Sequence, residues 1–161
     1  MDSSLVSPGR PSPVPARAEI LRSVVRLPPG QLKPSRKYIV FVLKVSTTCN
    51  SYRIIERTWS ECHRFEDALL KALRHDCAKR CTALWAELEP NVERSTRHVG
   101  FRNWCKIQLH HHTPETIAIF LEHYQVLLDA MLALVAATRC SGLDNIRALL
   151  SEFLSPPTKC P

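Results

Sequence analysis

Hydrophobic positions change their spacing twice along the chain, and each change marks a different kind of structure. Residues 1–17 have no apolar period, with Pro at 8, 11, 13 and 15 and Ser at 3, 4, 7 and 12. A stretch of that kind buries no core and predicts a disordered arm. From Ala18 the texture turns apolar. Ile20, Val24 and Val25 predict a short strand ending at Pro28-Pro29-Gly30, a turn signal. Tyr38 to Val45 is aromatic and β-branched, which suits a well-buried strand. Thr47 to Ser51, with Asn50, predicts a hairpin loop, and Tyr52 to Arg57 alternates as the returning strand. The expectation is a three-stranded antiparallel meander.

After Trp59 the period lengthens to that of helices. Ser60 is a candidate cap, and Cys62, Phe65, Leu69 and Leu73 then recur on one helical face. Cys77, Cys81, Leu84, Trp85 and Leu88 predict a second amphipathic segment, stopped by Pro90. Asn91 to His112 reads as irregular. Thr113-Pro114-Glu115 is a helix start, with a capping hydroxyl, a proline at the first position and a carboxylate at the positive end. Ile117, Phe120, Leu121, Tyr124, Leu127, Leu128, Met131 and Leu134 form the buried stripe of that helix. A break follows at Cys140 to Gly142. Leu143, Ile146, Leu149, Leu150 and Phe153 predict a last helix, closed by Pro156 and Pro157. Strands followed by helices imply an α+β fold, a three-stranded antiparallel sheet packed against a helical subdomain. The expected organisation is an arm at 1–17, one domain at 18–155 and a short tail at 156–161.

Composition narrows the chemistry. With four glycines, and neither G-x-G-x-x-G nor the P-loop pattern, nucleotide-binding folds of those kinds are excluded. Twenty-two Lys and Arg against fifteen Asp and Glu leave a net charge of +7, which favours polyanionic partners. The first twenty residues hold no apolar core of a secretory leader, so the seven cysteines are expected as reduced thiols. Ile117 to Ala137 is the most apolar stretch, but Glu122, His123, Gln125 and Asp129 interrupt it, so membrane contact is expected to be peripheral.

The stretch 91–113 carries Arg94, Arg97, Arg102 and Lys106 against Glu93, with His98 and His110 to His112. Phe101 and Trp104 are interleaved. Cations of this kind suit an anionic leaflet, and Trp or Phe the headgroup boundary. A solvated loop whose two aromatics fold back onto the core is the alternative. His75-x-Cys77-x-x-x-Cys81 raises a zinc reading, but both thiols share a stripe with Leu84, Trp85 and Leu88, no second close Cys pair exists, and core packing explains them. No metal or cofactor is expected. The three consecutive histidines read as a solvated loop or as a pH-responsive anchor. Ser60 or Cys62 beside His63 makes no nucleophile pair, because adjacent helical residues diverge and no glycine-rich oxyanion loop accompanies them. Enzymatic activity is not expected. Nucleic acid is not an expected partner either, since no helix bears an Arg/Lys stripe.

The segment Ser51-Tyr-Arg-Ile-Ile-Glu-Arg-Thr-Trp-Ser-Glu-Cys-His-Arg-Phe-Glu-Asp-Ala-Leu69 resembles the central signature of the phox-homology (PX) domain, a strand aromatic followed by Arg-Arg-Tyr-Ser-Asp-Phe and a helix. Tyr52 matches the strand aromatic, Trp59-Ser60-Glu61 the Tyr-Ser-Asp, and Cys62 stands where the Phe would be. Tyr38 to Val45 is similar to the preceding strand, and Leu127 to Leu154 to the closing helices. The likeness spans roughly 18–155 and is nearest to divergent, cysteine-containing members of oomycete type.

The resemblance implies a phosphoinositide-binding adaptor on the cytoplasmic face of endomembranes, with a partly degraded pocket. The family's phosphate-holding Arg is Thr58 here. Arg57, one step earlier, faces the other side of a strand unless a bulge redirects it. Trp59 would lie under the inositol, and His123 would replace a further Arg. The Pro-Pro-x-Lys loop is replaced by Glu89-Pro90 and the basic run. The implied lipid-binding set is Arg57, Trp59, His123 and the rim Arg94, Arg97, Arg102 and Lys106, with Phe101 and Trp104 touching the membrane. The alternative is a protein-interaction module that has kept the scaffold and lost lipid recognition.

Overall fold

The computed structural model describes residues 13–31, 35–47, 50–77 and 82–157, with the side chains of residues 76, 77 and 82 not described. The fold is α+β. Strands β1 (Arg17–Val25), β2 (Ile39–Ser46) and β3 (Tyr52–Thr58) form an antiparallel sheet in the order β1-β2-β3. Helices α1 (Trp59–Ala72), α2 (Thr82–Gln108), α3 (Pro114–Ala137) and α4 (Asp144–Phe153) follow. The predicted meander and the outer helices are therefore present.

Register explains why the central strand is apolar throughout. Ile39, Phe41, Leu43 and Val45 point into the helical layer and are fully buried. Val40 and Val42 face the other way, yet are also buried. Arg22 and Val24 flank them in register on β1, and Glu56 and Thr58 on β3. Arg26 pairs with Glu56 at 2.5 Å along the same surface. Long polar stems thus shield two valines on the face where the described residues form no second layer.

Turn chemistry is local and readable. Gln31 N–H donates to the Pro28 carbonyl at 3.1 Å, and Gly30 has φ +85°, so Pro29 and Gly30 occupy the central positions of a type II turn. Thr47 N–H donates to the Ser51 carbonyl at 2.9 Å and Asn50 is left-handed, which closes the hairpin, although residues 48 and 49 lie outside the described set. Thr113 caps α3 and Pro114 takes its first turn, as the sequence predicts.

Four local expectations are corrected. The cap of α1 is Thr58, not Ser60. The Thr58 hydroxyl accepts from Glu61 N–H at 3.2 Å, and the Glu61 carboxylate accepts from Thr58 N–H at 2.7 Å. Pro90 does not end the second helix. Proline lacks the N–H for one helical bond, but Val92 beyond it is buried and Leu88 before it is packed on the core, so the helix is held on both sides. Residues 91–108 are helical rather than irregular. Their core anchors, Val92, Val99 and Ile107, recur only every two turns, which dilutes the periodic signal. The one departure is Gly100 (φ +63°, ψ 156°), which divides α2 into 82–99 and an arm, 101–108. Finally, the described end of the arm at 1–17 is not free of the core: Val14 packs against it, Pro15 is buried, and β1 begins at Arg17.

The helices close one core. Phe41 meets Tyr124 edge-on at 5.6 Å, Trp59 meets Phe120 edge-on at 6.3 Å, and Phe65 stacks on Phe153 at 3.9 Å. α3 is long and apolar enough to cross a membrane by length and composition, but its stripe from Ile117 to Leu134 forms the centre of this core.

Candidate functional site

The residues expected to form one anion-accepting hollow are distributed over three places. Arg57 pairs with Phe41 in the regular β2–β3 register, so it points to the inner side of the sheet and is buried. The β2–β3 pairing has no bulge that would redirect it; among the described residues the register shift lies in β1, between Ile20 and Arg22. Its guanidinium instead covers the C-terminal end of α4. Nε donates to the Phe153 carbonyl at 2.8 Å, Nη1 to the Glu56 carbonyl at 2.9 Å, and Nη2 to the Ser155 carbonyl. Its plane lies 5.5 Å from the Phe153 ring centre, and Arg53 adds a bond to the Leu154 carbonyl at 2.8 Å. Helix C-termini present carbonyls without intrahelical donors, and two arginines of β3 satisfy them here. This corrects the expected placement of Arg57 as a pocket wall with Trp59.

His123 is also engaged elsewhere. It is buried on α3, with Nε2–H donating to Glu66 of α1 at 2.5 Å and Nδ1 meeting the Ser95 hydroxyl of α2 at 3.0 Å. One imidazole therefore ties three helices together, rather than standing opposite Trp59. The Ser95–His123–Glu66 chain has the connectivity of a nucleophile, base and orienting acid. Ser95 lies inside α2, His123 inside α3 and Glu66 inside α1. The chain is a bridge between helices.

Trp59 opens α1 and is buried, with His63 stacked on it at 5.0 Å one turn later. The cation over its indole is Arg36, 5.5 Å from the ring centre, carried by the turn Arg36–Tyr38 between β1 and β2. Among the described residues the indole Nε1 has no hydrogen-bond partner. Sequence reasoning missed Arg36; its only signal was the pair of cations immediately before the aromatic start of β2.

The third place is α2 and the loop after it. Arg94 lies with Ser95, His98, Glu122 and Asp129 in a 560 Å³ groove between α2 and α3. Arg97 pairs with Glu93 at 3.7 Å on a neighbouring face. Beyond Gly100, Phe101 is 81 % exposed and Trp104 40 % exposed, their rings stacked at 6.4 Å, and Leu109 is 65 % exposed. Phe101 therefore does not fold back onto the core, while Trp104 is partly covered. Ile107 anchors the arm in the core, while Arg102 is exposed and Lys106 half-buried beside the aromatic pair. Among the described residues neither Arg102 nor Lys106 makes an ion pair.

The arm ends in a Schellman motif. His111 N–H donates to the Lys106 carbonyl at 2.8 Å and His110 N–H to the Ile107 carbonyl at 3.2 Å, with His110 at φ +58° in the position that glycine usually fills. His110 Nδ1 accepts a 3.4 Å bond from Arg36 N–H, so the arm is tied to the turn over Trp59. His112 is buried with both ring nitrogens unpartnered among the described residues, and burial, aided by His110, holds its pKa below the usual histidine range.

Cys81 and the side chain of Cys77 lie outside the described residues, so the zinc reading has no geometry to meet, and among the described residues no three ligating side chains cluster. Cys62 is buried in the core, where burial pushes its thiol far up and leaves it unreactive at neutral pH. Comparison with protein-family models, with curated proteins and with solved structures finds no match to this chain.

Proposed function

We propose that this chain is a non-catalytic adaptor for anionic membrane surfaces, docking peripherally on cytoplasmic endomembranes through the arm 101–108. One observation carries the reading: a stacked, solvent-facing Phe101–Trp104 pair on a short helix that also bears Arg102 and Lys106. Monomeric proteins rarely expose a large aromatic pair without a surface to meet it. Indole and phenyl rings favour the headgroup boundary, and each nearby cation contributes about 1 kcal/mol at an anionic leaflet. A phosphoinositide headgroup, on this reading, meets Arg36 beside Trp59 rather than Arg57 and His123, both of which are committed inside the fold.

The second reading, a protein-interaction module on the same scaffold, is favoured by the commitment of Arg57 to the end of α4. Co-sedimentation with phosphatidylcholine vesicles, with and without phosphatidylserine or a phosphoinositide, separates the two. The membrane reading expects binding that requires anionic lipid and is lost in F101A/W104A. Binding that also requires a particular phosphoinositide, and fails in R36A, assigns the headgroup to Trp59 and its neighbours. No partition into any vesicle leaves the interaction module.

A further inference from the structure

The loop that ends the docking arm is built around an unusual choice of residue. A Schellman cap places its C′ residue in the left-handed region, where glycine is the default and a side chain costs about 1 kcal/mol. Here His110 occupies it, at φ +58°. Its ring does something that glycine cannot, since Nδ1 accepts the Arg36 backbone N–H from a turn 74 residues away in the sequence. That bond requires an unprotonated Nδ1, because imidazolium has two donors and no acceptor. Two residues on, His112 is buried without a partner for either ring nitrogen among the described residues.

We infer that His110 and His112 make the seam between the docking arm and the Arg36–Tyr38 turn an acid-released tether, which strengthens membrane docking as pH falls. Protonated His110 turns its ring N–H against the Arg36 N–H, and the contact becomes repulsive. Protonation of His112 then places a buried charge beside His110, which loosens the same loop. At the seam stand Arg36 from the turn, Lys106 from the arm, His111 in the loop and Glu115 at the start of α3, whose carboxylate feels the charge of Lys106. Glu115 is the lone carboxylate in that set. Cations therefore outnumber it, and each new imidazolium adds positive charge at the end of the arm that carries Phe101 and Trp104. Opening the seam gives the arm freedom to seat its aromatic pair, while the added charge attracts anionic lipid.

The inference rests on the membrane reading above, and the test separates the two. Partition of the full chain into phosphatidylserine/phosphatidylcholine vesicles is measured at pH 7.4 and 5.5, for wild type and H110G. Glycine keeps the left-handed cap, so the variant preserves the fold while removing the acceptor. Wild type is expected to bind about tenfold more tightly at pH 5.5, each added cation being worth a few-fold. H110G is expected to bind a few-fold more tightly than wild type at pH 7.4, with its own pH response reduced to a few-fold. H110G loses one titrating imidazole together with the acceptor, so the decisive reading is at pH 7.4, where a general gain of charge predicts binding equal to that of wild type. That equality, or no pH response in wild type, overturns the tether and leaves the docking arm standing. Absence of partition at both pH values overturns the membrane reading itself.

Discussion

The β3–α4 junction and the arm 101–112 are built from the same residue types, arginines beside aromatic rings, and use them in opposite ways. At the junction Arg57 is buried over Phe153, with three carbonyls as acceptors, and Arg53 holds a fourth. On the arm, Phe101 and Trp104 face solvent and Arg102 has no ion-pair partner among the described residues. A guanidinium that has been taken out of water must have its donors matched, and doing so locks it. One that keeps its hydration is free to exchange water for phosphate. What separates a structural arginine from a recognition arginine is therefore the carbonyls around it, not its neighbours in sequence.

The largest effect should come from the junction. Arg57→Ala strips donors from the Phe153, Ser155 and Glu56 carbonyls and leaves a void under the Phe153 ring. Hydrogen bonds from a charged group are worth about 1.5–3 kcal/mol each, and partial rehydration offsets some of the loss. A destabilisation of about 3 kcal/mol is expected, read as a lower urea midpoint. A midpoint within error of wild type would mean that these bonds contribute nothing net and that Arg57 is available to a ligand after all.

The converse variant is F101A/W104A. Stability should change by less than about 0.5 kcal/mol, as expected for surface substitutions. Vesicle partition should fall about 30-fold, equivalent to about 2 kcal/mol of lost apolar insertion. If the double variant instead lowers the urea midpoint by as much as Arg57→Ala, the aromatic pair belongs to the core, and the contrast between the two regions collapses.

Sequence pattern exposed the strands, the helix α3 with its Thr113-Pro114 start, and α4, because each has a dense apolar period and a local stop signal. It missed the helical nature of residues 91–108, where Val92, Val99 and Ile107 are too widely spaced to register against the polar background. The site was harder to read for a related reason. The alternation rule correctly warned that Arg57 points away from a Thr58-like position, but the acceptors that claim it are 96 and 98 residues distant, in α4 and just after it. The partners of His123, Glu66 and Ser95, lie 57 and 28 residues away on other helices. Arg36 comes to Trp59 only because the β1–β2 connection folds over α1. Local periodicity carries no information on such meetings. Exposure of Phe101 and Trp104 was undecidable for the same reason: it depends on where Gly100 bends the helix.

A smaller effect is expected on the acid side of the stability curve. His112 has its pKa lowered by burial, so the unfolded chain binds its proton more readily than the folded one. This term is fully present above the folded and unfolded pKa values and is lost as pH falls through the unfolded value, about 6.5. Stability should decline between pH 7 and 5, and His112→Leu, which fills the site without titrating, should flatten part of that decline. An unchanged slope in the variant would show that His112 is hydrated in solution. The junction has no titrating group of this kind, so Arg57→Ala should shift the whole curve without changing its slope.

The smallest effect contrasts one arginine from each region. Arg97 pairs with Glu93 at 3.7 Å, with both side chains largely exposed, and such pairs contribute little to stability. Arg97→Gln should leave the urea midpoint unchanged, against the large shift of Arg57→Ala. Vesicle binding should weaken about threefold at low salt, and the difference should vanish as added salt shortens the screening length to a few ångströms. Arg97 would then act through solvent, as one charge in a field shared with Arg94, Arg102 and Lys106. Persistence of the deficit at high salt would require a direct, dehydrated contact between Arg97 and a headgroup, and would move the binding face from the arm tip toward the Glu93 side of α2.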